Sequence, residues 1–140
     1  MIKQTVGTFL DSCILLDLFT NDHNWGDWSL QQLRKAALKG PLIINEIVYS
    51  EISIGFSRIE DLDNALFEIE IDIQHIPRSA AFLAGKAYKA YRLRGGSKTA
   101  PVPDFFIGAH AAVMGIPLIT CDPKRMIQVY PSLKIICPET

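Results

Sequence analysis

TVGTFLDSCILLDLF, residues 5–19, reads as a short strand running directly into a helix. Thr5 to Asp11 is β-prone and ends on a carboxylate, and Ser12 to Phe19 follows as a helix opened by the Asp-Ser pair. The same alternation then repeats along the chain. A helix is predicted over Trp25 to Leu38, stopped by Lys39-Gly40-Pro41, and an apolar strand over Leu42 to Ile44. Asn45 is a good N-cap for a helix reaching about Gly55, and residues 59–69 carry a second helical pattern. Ile71 to Ile76 alternates apolar and polar residues, as a half-buried strand does. Ser79 to Arg94 reads as a helix closed by Gly95-Gly96, residues 97–103 as a loop, and Asp104 to Met114 as a helix closed by Gly115. Strands over Leu118 to Thr120 and Leu133 to Cys137 complete the series, with Cys121-Asp122-Pro123 as a turn between them. Strands alternating with helices predict a mainly parallel central sheet covered on both faces, an α/β/α three-layer sandwich.

The 140 residues suit one domain spanning the chain, and 49% apolar residues suffice for a core. No apolar run approaches the roughly 18 residues of a membrane span, and the first residues do not read as a secretory signal. A soluble, cytoplasmic protein with no membrane contact is the expectation. Cys13, Cys121 and Cys137 are odd in number and lack C-x-x-C spacing. That disfavours a disulfide scaffold or a structural zinc site and predicts small buried side chains. The net charge of −1 conceals an asymmetry: residues 1–77 hold 5 basic and 12 acidic side chains, residues 78–140 hold 9 and 3. A basic half suits a polyanionic partner, although folding can mix the two halves on one surface.

Four acids fall where acids are unusual. In open α/β sheets the functional crevice lies beyond the carboxyl ends of the strands. Asp11 and Asp122 each follow a predicted strand directly, so two strands deliver a carboxylate to the same sheet edge. Glu51 has Ile47 and Val48 one turn before it and Ile54 and Gly55 one turn after it, which places it in an apolar stripe. Such a carboxylate needs a partner. Glu46 lies five residues earlier, roughly 140° around the helix, beside Tyr49 and Ser50, and is expected to point outward. Asp104 opens a small, apolar helix after Pro103. Taken singly, these are ordinary features: a cap at Asp104 or Asp11, an Asp-Pro turn at Asp122, a surface residue at Glu51. Converged, they would repel one another and hold protons unless a cation neutralised them. Oxygen donors of this kind suit Mg²⁺ or Mn²⁺, which activate water and offset charge on a phosphoryl group.

Phe9-Leu10-Asp11-Ser12, NEIVYSEISIG over Asn45 to Gly55, PDFFIGAHA over Pro103 to Ala111 and LITCD over Leu118 to Asp122 resemble, in order and spacing, the motifs of PIN domains. The resemblance is nearest to toxins of the VapC kind from bacterial toxin–antitoxin pairs and covers nearly the whole chain. It implies a magnesium- or manganese-dependent endoribonuclease acting on RNA, a homodimer, and silencing by a small antitoxin protein. Asp11, Glu51, Asp104 and Asp122 carry over as the acidic, metal-binding set, with Ser12 as the hydroxyl beside the first acid. Cys13 stands where many relatives have asparagine, and Lys124 where some carry a further acid. Three rivals stay open: a nuclease of the same fold in RNA maturation, an inactive PIN-like binding module, and a phosphate-accepting receiver domain. The last needs an acidic pair early in the chain, which Asp11-Ser12 does not supply.

The other polar residues have plainer readings. His23, His75 and His110 are scattered, without metal spacing. Asp17 is expected on a solvated helix face, and Trp25 and Trp28 as packing residues. Lys86, Lys89 and Arg92 recur every three residues, a solvated stripe or a set of phosphate contacts.

Overall fold

Thr8–Leu10 form the first strand, β1, and all three residues are buried. Burial on both faces is what a central strand of a parallel sheet demands. The structure, a computed structural model, describes residues 6–20, 26–96, 102–123 and 129–138. The expected strand start at Thr5, residues 97–101 of the expected loop, Asp22, His23, Trp25 and Lys124 lie outside the described residues.

From β1 the chain enters α1 (Ser12–Thr20) and α2 (Gly26–Lys39), then returns as β2 (Leu42–Ile44). Next come α3 (Glu46–Ile52), a 3₁₀ turn (Ser53–Gly55), α4 (Ile59–Glu68) and β3 (Ile71–Ile73). The final third supplies α5 (Arg78–Leu93), α6 (Val102–Met114), β4 (Leu118–Ile119) and β5 (Ile135–Ile136). The five strands lie in the order β3-β2-β1-β4-β5, and every pairing is parallel. The expected three-layer α/β/α sandwich is therefore what the chain forms. None of its described helices is long and apolar enough to cross a membrane.

Local chemistry explains the boundaries. Asn45 caps α3 as expected: its side-chain Oδ1 accepts the Val48 N–H at 3.1 Å. Its Nδ2 faces His110 Nδ1 at 3.2 Å. An amide nitrogen only donates, so the His110 Nδ1 is the acceptor and the ring proton sits on Nε2. Burial also pushes the His110 pKa down, in keeping with a neutral core imidazole. Gly95 and Gly115, both at positive φ, let α5 and α6 end where their patterns stop. The predicted half-buried strand Ile71 to Ile76 is shorter and wetter than expected. β3 is an edge strand, so one of its sides has no neighbour, and Ile73 is 45% exposed.

α6 begins at Val102, two residues before the expected start at Asp104. Pro103 is tolerated because the first turn of a helix has no use for its missing N–H. Helix α6 buries Phe105, Ile107, Ala109, His110 and Ala111 against α5 and α3, with the His110 ring on Phe9 of β1, as an almost wholly apolar helix must.

Candidate active site

β1 and β4 are neighbours, with Leu10 opposite Ile119. β1 is also the strand from which successive connections reverse direction, so its carboxyl end and that of β4 frame the crevice of the sheet. Asp11 leaves β1 there, its N–H donating to the Ile119 carbonyl at 2.9 Å. Thr120, Cys121 and Asp122 leave β4 beside it. Two strands thus deliver acids to one place, as the sequence pattern requires.

The Asp11 carboxyl is held from both sides. Oδ1 accepts the Ser12 N–H at 2.7 Å and the Ser12 hydroxyl at 3.4 Å, both on the next residue and short of the N2 and N3 donors that an N-cap takes. Oδ2 accepts the Thr120 hydroxyl at 2.7 Å. Thr120 is fully buried, and its Oγ1 also receives the Asp122 N–H at 3.2 Å. One hydroxyl therefore joins the first acid to the backbone of the fourth. Burial pushes the Asp11 pKa up, the Thr120 and Ser12 hydrogen bonds pull it back, and the charge of Asp122 adds to the rise.

Glu51, near the end of α3, comes in from another layer. Its pKa is likewise raised, mainly by burial, with the charges of Asp11 and Asp104 adding and a hydrogen bond from Ser12 opposing. Its Oε1 is buried without a hydrogen-bond partner. Glu46 serves as the contrast: it faces outward, beside His75 Nδ1 at 3.1 Å, and accepts the Ile76 N–H at 2.9 Å. Asp104 lies inside the first turn of α6, past the position of an N-cap. The N-terminal end of the helix dipole favours a carboxylate at that point.

Glu51 thus lies within electrostatic reach of Asp11 and Asp104, Ser12 stands beside both Asp11 and Glu51, and Asp122 joins through Asp11 and Thr120. As the side chains stand, no three His, Cys, Asp or Glu groups among the described residues close on a single point to hold an ion. The donor set is nonetheless all oxygen, and Glu51 Oε1 is a buried acceptor with nothing to accept. That is the condition in which a hard divalent cation fits.

Sequence reasoning missed three things here. Thr120 reads as a β-branched strand former, so nothing marked its hydroxyl. Asp17 is not on a solvated face: its Oδ2 accepts from Ser29 Oγ at 3.2 Å and from Cys121 Sγ at 3.6 Å. The cysteines are not buried apolar fillers either: all three are free and partly exposed, and Cys13 Sγ accepts the Cys121 N–H at 3.0 Å. The hydrogen bond to Cys13, burial and the Asp17 charge together push the Cys121 thiol pKa up. Lys86 and Lys89 are exposed on α5, which packs against α6.

The sequence matches the PIN domain family over residues 8–130. Among solved structures, the chain is similar to VapBC2 of Rickettsia felis bound to a promoter DNA fragment, with a TM-score of 0.70 at 18% identity, covering 94% of this chain and 98% of that one. It is similar to a toxin–antitoxin complex of Klebsiella pneumoniae, with a TM-score of 0.66 at 20% identity, covering 93% and 96%. DNA-bound VapBC of Salmonella typhimurium gives a TM-score of 0.71 at 15% identity, covering 94% and 98%. No curated protein matches the sequence.

Proposed function

This chain belongs to the PIN domain family, and on that premise we propose that it is a metal-dependent endoribonuclease, the toxin of a toxin–antitoxin pair. The observation that carries the reading is Glu51: a carboxyl with one buried oxygen left unbonded, within reach of the charges of Asp11 and Asp104. Like charges are brought together at a cost only where something offsets them.

Asp11, Glu51 and Asp104 would hold the principal Mg²⁺ or Mn²⁺, directly or through water, and Asp122 would complete the site. When bound, such an ion supplies a water of lowered pKa and stabilises charge on the phosphoryl group under attack. The chain's own share is positioning. Thr120 and Ser12 fix both oxygens of Asp11, so that its lone pairs keep one direction. The Ser12 hydroxyl steadies Glu51 from the same side. The apolar packing of α6 holds the backbone of Asp104 still while its carboxyl stays partly open. No side chain here is required as a nucleophile. Exposed Lys86 and Lys89 on α5 would meet phosphates of the RNA, without reading its sequence.

A small antitoxin as inhibitor and a homodimer as the working form belong to the same proposal. The toxin–antitoxin nature of the similar structures supports the first.

Purified protein incubated with total cellular RNA tests the reading. Cleavage is expected with Mg²⁺ or Mn²⁺, and none with EDTA or in Asp11→Asn and Asp104→Asn variants that keep the wild-type fold. Undiminished cleavage in EDTA, or by either folded variant, would overturn it.

A further inference from the structure

Cys13 and Cys121 stand 108 residues apart in sequence and touch in space, one beside each strand end that carries an acid. Cys13 lies two residues past Asp11, and Cys121 lies between Thr120 and Asp122. The parallel register of β1 and β4 makes this pairing a product of the fold: Leu10 faces Ile119, and the two cysteines follow three and two residues on. Cys13 Sγ accepts the Cys121 N–H at 3.0 Å, and the Cys121 thiol lies beside Asp17 Oδ2 at 3.6 Å. Both residues are partly exposed, at the margin of the core. A structural cysteine is usually buried fully. Nothing in the nuclease reading uses either sulfur.

We propose that Cys13 and Cys121 close into a reversible disulfide under a low-molecular-weight disulfide oxidant, and that closure disables the acidic site beside them. In the first step the Cys13 sulfur attacks the oxidant RSSR, a Cys13–SR bond forms, the S–S bond of the oxidant breaks, and one RSH leaves with the Cys13 proton. In the second, the Cys121 sulfur attacks Cys13, the Cys13–SR bond breaks, and the second RSH leaves with the Cys121 proton. Two protein thiols are oxidised and one RSSR is reduced to two RSH.

Closure must act on the site because of what the sulfurs are attached to. Cys13 Sγ now holds the Cys121 N–H, and an S–S bond of about 2.05 Å replaces that contact with a covalent one, so closing it shifts the Cys121 backbone against α1. The residues on either side of Cys121 are the hydroxyl that holds Asp11 and the fourth acid. A displacement near 1 Å in such a constellation costs on the order of 100-fold in rate. Bonding also takes Cys121 away from Asp17, its present thiol acceptor.

The disulfide does not depend on the nuclease reading, whereas its effect on cleavage does, so the two are measured separately. Full-length protein carrying Cys137→Ser, which removes the third thiol, is treated with oxidised glutathione. Intact mass and peptide mapping are then followed, with RNA cleavage assayed in parallel. The expected product is a monomer-mass chain lacking two hydrogens and linked between residues 13 and 121. Its cleavage should fall at least tenfold and return with dithiothreitol. Cys13→Ser should keep its activity under oxidant, whereas Cys121→Ser should stop at the Cys13 glutathione adduct, read as the added mass of one glutathione. Stable glutathione adducts without a link, links only between chains, or a linked chain of unchanged activity would each overturn the proposal. Absence of cleavage by the reduced protein would count against the nuclease reading alone, since the link is still read by mass.

Discussion

Replacing Thr120 with valine exchanges one hydroxyl for a methyl group of similar shape, and it isolates the contact on which Asp11 most depends. The hydroxyl is fully buried, donates to Asp11 Oδ2 at 2.7 Å and accepts the Asp122 N–H at 3.2 Å. A hydrogen bond to a charged group contributes about 1.5–3 kcal/mol. The Asp122 N–H lies at an exposed residue and can turn to water, so the loss should fall near the middle, about 2 kcal/mol. In a domain of this size that lowers Tm by roughly 4–8 °C. Thr120→Ser keeps the oxygen and loses a methyl group, about 0.8 kcal/mol, so it should melt between wild type and the valine variant. Chemistry should move with stability. The Thr120 bond is the largest of the influences holding the Asp11 pKa down, so without it that pKa rises further and the acid limb of the pH–rate profile shifts to higher pH. Thermal melts followed by circular dichroism and RNA cleavage across pH give both readouts. A valine variant that melts within about 1 °C of wild type, with its acid limb unmoved, would show that the hydroxyl does not hold Asp11.

Glu51→Gln should abolish cleavage yet stabilise the metal-free protein at neutral pH. The native pKa of Glu51 is raised above the ordinary 4.5, so the folded state binds the proton more tightly than the unfolded one. Its ionisation therefore begins to cost stability as pH climbs past 4.5, and the cost is complete above the native pKa. Melts of the two proteins in EDTA should diverge with rising pH, and parallel curves would exclude the effect. Mg²⁺ or Mn²⁺ should raise the Tm of wild type more than that of Glu51→Gln, and an equal rise would place the ion elsewhere. Asn45→Ala removes the cap of α3 and leaves buried His110 without its donor, a loss of about 2–4 kcal/mol. Because α3 carries Glu51, cleavage per folded molecule should fall too, and an unchanged melt would refute the buried Asn45–His110 contact.

The frame of the fold was legible because its signals are local. The strand–helix alternation, the Asn45 cap and the glycine stops each act within a few residues, and each lies where the pattern placed it. The apolar stripe expected around Glu51 holds on one side only: Val48 before it is buried, whereas Ile54 after it is 83% exposed in the 3₁₀ turn. The helix starting at Val102 was read two residues late, because Pro103 inside a first turn resembles a proline before a helix. Thr120, Asp17 and the cysteine pair were not legible at all. Their roles arise only when residue 11 meets residue 120, residue 17 meets residue 121 and residue 13 meets residue 121, and no periodicity reaches that far.

The position of β4 between β1 and β5 has a bearing on synthesis. Asp11 is translated early, but the hydroxyl that aims it follows 109 residues later, and the fourth acid later still. On a ribosome, where the newest residues are the last to leave the exit tunnel, a growing chain holds three of the acids with no β4 to complete the crevice. The proposed site therefore stays incomplete on the ribosome until β4 has emerged, and truncation before residue 118 is expected to remove the crevice along with the strand.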